Sequence, residues 1–469
     1  MKILKFLFLC LLLTGCNLAP RYHRPCMDIP ACWRFENDGG STCCNVRWWE
    51  ELGDPILDAL IVQALQNNKD LKIAIWRVCE FYGRYEVFSS QLFPQINLSG
   101  SAVKEKFPVA SFIPEFFDPI TPHYEYAFTL AYEIDFWGRV RNMSKAAYEE
   151  LLAQVENRRT VVLTLVSEVA NSYIRLRELD RELFIAKETE AEREEYLKLA
   201  RKRFEGGLTS EIEVEQAISV LEETRAAIVV LETKIPIEED LLSVLLGEPP
   251  TCILRGRAID EFCLPPCIPA GLPSDLLVRR PDIIAAENEL IAANARIGVA
   301  RAEFFPKISL VGAFGGESFK LSEIFTESSR AWRIGGEFMQ TIFSGGRLIG
   351  QLDSSLAVYR ELLYNYEQTI LEAFKEVSNA LISHKNSKEL VEVEKKRVAA
   401  VAEYLKLAWL RYYDGQTDYL TVLDAERQLF SAQIDLTKAQ ADVFLSLVAI
   451  YKAVGGGWVW EADACIVKK

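Results

Sequence analysis

The sequence predicts a mixed membrane protein in which short β-hairpins of an oligomeric barrel alternate with very long helical hairpins, written as two tandem structural repeats. Three observations carry this reading. Residues 196–209, YLKLARKRFEGGLT, recur 208 positions later as YLKLAWLRYYDGQT, with eight of the fourteen paired positions identical. Two stretches lack both Gly and Pro: 67 residues between Gly138 and Gly206, and 64 between Gly350 and Gly415. Before the first of them, EYAFTLAYEIDFW sets Tyr126, Phe128, Leu130, Tyr132, Ile134 and Phe136 against Glu125, Ala127, Thr129, Ala131, Glu133 and Asp135, a period of two.

Taken in order, the chain opens with Lys2 and Lys5, an apolar run over residues 6–13 and LLTGC ending at Cys16, so residues 1–15 read as a signal peptide whose core is too short for a mature span. LLTGC is similar to the bacterial lipoprotein signal, in which the cysteine is acylated and becomes the first residue. Asn17 after it then implies outer-membrane sorting. An ordinary secretory signal with a stray cysteine is the alternative.

The alternating segment is one strand of a hairpin over residues 93–137, with FPQINLSGSAV as the other. FPKISLVGAFG and WRIGGEFMQTIF make a second hairpin over 305–343. One apolar face and one small or acidic face suit a barrel wall with lipid outside and water inside, although a strand half buried in a soluble sandwich reads alike. Helices over 139–205 and 351–413 would each run about 100 Å at 1.5 Å per residue. They are too charged for membrane spans, and Leu163, Val166, Val169, Ala170, Tyr173 and Ile174 recur at coiled-coil spacing. Gly turns at 206–210 and 414–418 lead into return helices, the first interrupted by Pro236, where a kink is expected. Four strands cannot close a barrel without a lipid-exposed edge, so the chain must oligomerise; dimer, trimer and tetramer remain open at this level.

Composition excludes other classes. A formal charge of -14 gives nucleic acid no basic face to bind. HExxH, GxxxxGK[ST] and GxSxG are all missing, and His23, His123 and His384 lie far apart, so neither an enzyme, a cofactor nor a metal site is expected. Cys43-Cys44 and Cys263-Cys267 form no zinc pattern. A purely structural coiled-coil lipoprotein would leave the alternating strands unexplained. Eleven cysteines in an oxidising compartment can pair; Cys10 lies in the signal, Cys16 carries the lipid, and Cys79, in an apolar helical run, is the expected odd thiol.

GLPSDLLVRRPDIIAAENELIAANARIGVARAEFFPKISLVGAFG from Gly271, WWEELGDPILDALIVQALQNNKDL from Trp48, YEIDFWGRVRN from Tyr132, RYYDGQTDYLTVLDAERQLFSAQ from Arg411 and YKAVGGGW from Tyr451 cover nearly the whole mature chain. With these motifs the sequence resembles the TolC-like outer membrane efflux protein family, in its OprM/NodT branch of outer membrane lipoproteins of RND efflux systems. The resemblance implies a homotrimer: a 12-stranded barrel in the outer membrane, a helical tunnel across the periplasm and a small equatorial domain. It implies contact with outer membrane lipid, a periplasmic membrane-fusion adaptor and, through the adaptor, an inner-membrane RND pump. The exit duct of a type I protein secretion system is the alternative within transport.

On this resemblance the chain divides into the lipid anchor and N-terminal equatorial segment (16–53), a first repeat (54–247), an equatorial linker (248–272), a second repeat (273–454) and an equatorial tail (455–469). The adaptor is expected on Arg203, Gly207, Leu208, Thr209, Ser210, Arg411, Gly415, Thr417 and Asp418. The periplasmic gate is expected at Leu420, Asp424 and Arg427, whose spacing places them on one helix face, with Arg427 or a cation compensating a ring of Asp424 carboxylates. Their first-repeat counterparts, Ile212, Gln216 and Ser219, lose both charges. Cys26, Cys32, Cys43, Cys44, Cys252, Cys263, Cys267 and Cys465 map to segments that wrap the equator in this family, so at least one bridge among them is expected. Their connectivity does not follow from sequence, and so many cysteines are unusual for the family.

Overall fold

The computed structural model describes residues 17–30, 33, 47–106, 120–262 and 273–456. Its helices are α1 (Pro55–Asn67), α2 (Lys69–Ser90), α3 (Arg139–Glu205), α4 (Glu211–Leu246), α5 (Leu276–Arg279), α6 (Pro281–Ala302), α7 (Arg347–Tyr413) and α8 (Tyr419–Ala453); its strands are β1 (Gln95–Lys106), β2 (Ile120–Glu133), β3 (Lys307–Ser318) and β4 (Arg330–Met339). The chain divides into two compact units, Met1–Cys26 with Arg77–Val155 and Ala285–Glu367, and Met27–Trp76 with Glu156–Ile284 and Gln368–Lys469. Each unit therefore draws on both sequence repeats.

In the first unit the strands form one antiparallel sheet in the order β1-β2-β3-β4, so the two repeats meet where β2 pairs with β3. Opposed residues share a sheet face. Leu98, Phe128, Phe314 and Trp332 lie in one row across the sheet, and Ile96, Leu130, Gly312 and Ile334 in another on the same face. The other face carries Ser99, Ala127, Gly315 and Ala331 in one row, with Asn97, Thr129, Ala313 and Arg333 in the next.

The YEIDFWGRVRN stretch is the junction from β2 into α3. Gly138, at φ +77°, turns the chain. Asp135 then accepts from the N–H groups of Val140 at 3.0 Å and Arg141 at 2.8 Å, satisfying donors that the first turn leaves free. Glu133 takes Arg139 through both oxygens, at 2.8 and 2.7 Å. Trp137 stacks on Phe305 with centroids 4.6 Å apart and donates its indole N–H to the Pro306 carbonyl at 3.0 Å.

The core of the second unit gathers Trp48, Leu52, Leu57 and Ile61 around Val166, Val169, Tyr173 and Ile174 of α3 and Leu242 and Leu246 of α4. Asp54, fully buried, caps α1 through the Ile56 N–H at 2.9 Å and accepts from the Tyr173 hydroxyl at 2.8 Å and the Arg257 N–H at 3.0 Å. A buried carboxylate is tolerable because its lone pairs are filled in this way. Trp48 stacks on Tyr451 at 5.1 Å, so the first residues of the WWEELGDP and YKAVGGGW stretches meet.

Two local features differ from the sequence expectation. The helix before the first hairpin breaks at Asn68, whose side chain accepts from the Leu71 N–H and donates to the Leu245 carbonyl, both at 2.9 Å. Gly350 falls inside α7, because Gly345 and Gly346, at φ +59° and +87°, make the turn instead. Helix α4 runs through Pro236, as the sequence expected of the first return helix; the N–H that Pro lacks would have served only the carbonyl of exposed Glu232.

Candidate functional site

The two glycine turns of the second unit have one geometry. After α3, Gly207 donates to the Phe204 carbonyl at 2.9 Å and Leu208 to the Arg203 carbonyl at 2.8 Å; after α7, Gly415 donates to Tyr412 at 3.0 Å and Gln416 to Arg411 at 2.9 Å. This is the Schellman termination, which needs a left-handed residue, and the glycines supply it at φ +70° and +68°. A Cβ at either glycine would meet nothing within 4 Å, so conformation rather than space selects Gly. The repeated YLKLA…G…T text thus encodes a helix stop twice.

The return helices start differently. Asp418 caps α8 by accepting from the Thr421 N–H at 3.4 Å and its hydroxyl at 3.1 Å, and Thr417 meets the same hydroxyl at 2.8 Å. Ser210 precedes α4 without a side-chain cap bond. In the first turn, Glu213 gathers hydroxyls instead: Thr209, Tyr196 at 2.6 Å, and Tyr412 from the other hairpin. Burial works against the Glu213 charge, but those three donors and the Arg203 cation outweigh it and hold the carboxyl below the usual range. Burial and the Glu213 acceptor push the Tyr196 and Tyr412 phenols up, which keeps them protonated as donors. Tyr196 also stacks on Tyr419 at 4.1 Å, and Arg203 lies 4.9 Å over the Tyr412 ring. Leu208 is 74% exposed at the turn.

Leu420, Asp424 and Arg427 line one groove with Gln216, Ser219 and Tyr404, so the two return helices contribute to it together. Arg427 places both Nε and Nη2 on one Glu223 oxygen, at 3.1 and 2.8 Å, while Asp424 accepts from Gln428 at 2.7 Å. Arg427 therefore links α8 to α4 within the protomer. Nearby, Arg193 of α3 donates to the Val220 carbonyl at 2.7 Å and to the Thr224 hydroxyl. Burial pushes the Glu426 carboxyl up to about 7, against the pull of Arg193.

Glu213, Glu223, Arg193, Glu426 and the aromatic residues around Tyr196 were not singled out by sequence reasoning. The asymmetry between repeats was a usable signal: Trp409, Tyr412 and Tyr413 stand where the first repeat has Arg201, Phe204 and Glu205. Of the thiols, Cys26, Cys79 and Cys252 are free and exposed. Cys16, Cys32, Cys43, Cys44, Cys263, Cys267 and Cys465 lie outside the described residues, as do residues 1–15, expected to be a signal peptide, and the residues beyond 456.

A sheet with one apolar face, joined in sequence to paired helical hairpins of equal length, defines a subunit of an outer membrane channel. Comparison with known proteins agrees: the profile of the outer membrane efflux protein family matches residues 60–248 and 272–456. The chain belongs to the outer membrane efflux protein family. It is 33% identical over 458 residues to the toluene efflux pump outer membrane protein TtgF of Pseudomonas putida, covering 95% of each chain. It is 33% identical over 465 residues to the cation efflux system protein CusC of Escherichia coli O6:H1, covering 97% of this chain and 99% of that one. A crystal structure of a Pseudomonas aeruginosa membrane protein superposes with a TM-score of 0.88 at 30% identity, over 94% of this chain and all of the other. The protein is thus an outer membrane transport component and not an enzyme.

Proposed function

We propose that three copies of this chain close a 12-stranded barrel in the outer membrane, continuous with a helical tunnel in the periplasm. The assembly is the exit duct of a tripartite efflux system. It passively conducts small molecules delivered by an inner-membrane RND-type pump through a periplasmic adaptor seated on the two glycine turns. The observation that carries this is the open sheet: among the described residues β1 and β4 each have one neighbour, while Trp332 and Ile334, on the apolar face, are 74% and 80% exposed. A bare apolar face suits lipid, but unpaired edges are untenable there unless other copies supply strands on both sides.

A second feature supports a closed ring. Val230, Ile237, Leu241 and Val244 form an exposed apolar stripe on α4, and Val393, Ala400, Tyr404 and Leu407 form another on α7. Two unlike stripes suit head-to-tail contacts, which close into a ring where the rotation between copies divides the circle evenly. Cargo choice rests with the pump: relatives with the same identity to this chain are named for toluene and for a cation, so the duct itself selects weakly. Native mass spectrometry of the detergent-extracted protein should give a trimer, and planar bilayers should show discrete conductance steps. A monomer without conductance would sink the reading.

A further inference from the structure

The loop between β3 and β4, at the end of the sheet away from the helices, is tied up on itself. Buried Ser329 sets its hydroxyl 2.9 Å from the Glu323 carbonyl and 2.8 Å from those of Ile324 and Thr326. The Thr326 hydroxyl donates to the Glu323 carbonyl at 2.7 Å. Backbone N–H groups of Thr326 and Ser329 close turns on Glu323 at 3.0 Å and on Thr326 at 3.3 Å. These bonds hold the loop's backbone together, while Leu321 and Phe325 stand 64% and 78% exposed.

Gly316 shows which way the loop folds. It pairs with Tyr126 across β2 and β3, and a Cβ on it would stand 2.5 Å from the Ile324 carbonyl oxygen and 2.7 Å from the Tyr126 ring. Its φ is not left-handed, so space for the loop, and not conformation, selects glycine here. Alternate residues of a strand share a face, which puts Tyr126 and Gly316 on the face of Phe128, Leu130 and Phe314. The loop therefore lies over the apolar face, with Ile324 buried and the Phe325 ring 5.1 Å from that of Tyr126. Tyr126 belongs to β2, so the loop leans away from the β4 edge, where another copy would add its strand.

The apolar face is short for a membrane. From the Ile308–Phe338 pair to the Tyr126–Gly316 pair it runs eight residues of β3. That is about 27 Å along the strand, at about 3.4 Å per residue. Tilted by about 40°, the strand covers about 21 Å of depth, less than the apolar band of about 25 Å that outer-membrane barrels present. We propose that the β3–β4 loop is a membrane contact folded outwards, whose Leu321 and Phe325 extend the apolar band among the acyl chains of the outer leaflet. It is then a buttress on the lipid side and not a lid over the pore. This rests on the barrel assembly proposed above, and the test separates the two.

The photoreactive residue p-benzoylphenylalanine is placed at position 325, 332 or 317 of the full-length protein in cells, membranes are irradiated, and adducts are identified by mass spectrometry. Positions 325, in the loop, and 332, on the apolar face of β4, should both give lipid adducts; position 317, on the opposite face, should give none. Gly316→Ala pushes the Ile324 carbonyl off the sheet, and Ser329→Ala unties the turns. Each should lower the lipid adduct at 325 and leave that at 332 unchanged. Lipid at 332 with only protein adducts, or none, at 325 overturns the loop contact and leaves the barrel standing. Lipid at neither position overturns the barrel reading and the loop contact with it. Lipid at 317 overturns the assignment of faces. An adduct at 325 that neither substitution lowers overturns the seat at Gly316.

Discussion

Glu213 ties the two hairpins of one protomer through hydroxyls, because Tyr196 and Thr209 belong to the first and Tyr412 to the second. Replacing the carboxylate by alanine leaves the buried Tyr196 and Tyr412 hydroxyls only each other, 3.4 Å apart, and hydrogen bonds to charged groups contribute about 1.5–3 kcal/mol each. Glu213→Ala should therefore raise amide exchange around 196–213 and 409–421 together, whereas a change confined to the first hairpin would disprove the tie. Glu426 gives a pH signature. Its folded carboxyl, pushed up to about 7 by burial and by neighbouring Glu192, with Arg193 opposing, keeps a proton that the unfolded chain releases at ordinary carboxylate pH. Stability of this region should fall as pH rises from about 4.5 to about 7, and Glu426→Gln should flatten that slope in exchange measurements. None of these partnerships was legible in the sequence: Glu213 and Tyr412 are 199 positions apart, and a carboxylate's burial depends on helices that meet only after folding.

At the scale of elements, the long helices could be read from the sequence because Gly and Pro punctuate the chain at their ends, and the strands because their apolar period matches the pleat. The break at Asn68 was hidden, since the carbonyl that its amide finds lies 177 positions away. The helix stops make a clean local test. Gly207→Ala and Gly415→Ala meet no atom within 4 Å, but each forces a side chain into the left-handed region, at a cost of about 1–2 kcal/mol. Each variant should loosen its own turn and leave the other's amide exchange unchanged. The α4 stripe tests assembly: Ile237 and Leu241 are 63% and 49% exposed in the lone protomer. Ile237→Asp with Leu241→Asp should yield monomers by native mass spectrometry, and intact trimers would show that the stripe is not an interface.

For the whole assembly, the question is what keeps the proposed tip closed. The sequence pointed to Leu420, Asp424 and Arg427 by spacing and by resemblance, and the structure adds the partner that spacing could not give: Arg427 sits on Glu223, 204 positions away. Both side chains are 56% exposed, so one such pair contributes only about 0.5 kcal/mol. Around a threefold axis there would be three. Their sum, about 1.5 kcal/mol, corresponds to roughly tenfold in the ratio of closed to open channels. Splaying the hairpins must separate α8 from α4 at this point, so an adaptor that binds the open form supplies what the pairs contribute to the closed one. Asp424→Ala with Arg427→Ala should lengthen open dwell times in planar bilayers. If the Glu223 pair is the operative contact, Glu223→Ala alone should match Arg427→Ala, and Glu223→Ala combined with Arg427→Ala should go no further than either single variant, because both remove the same interaction. Gln216→Ala with Ser219→Ala, in the same groove but without charge, should change the dwell times little. Additive effects of Glu223→Ala and Arg427→Ala would show instead that Arg427 acts on the Asp424 ring of neighbouring protomers, and the closed state would then be held between chains rather than within them.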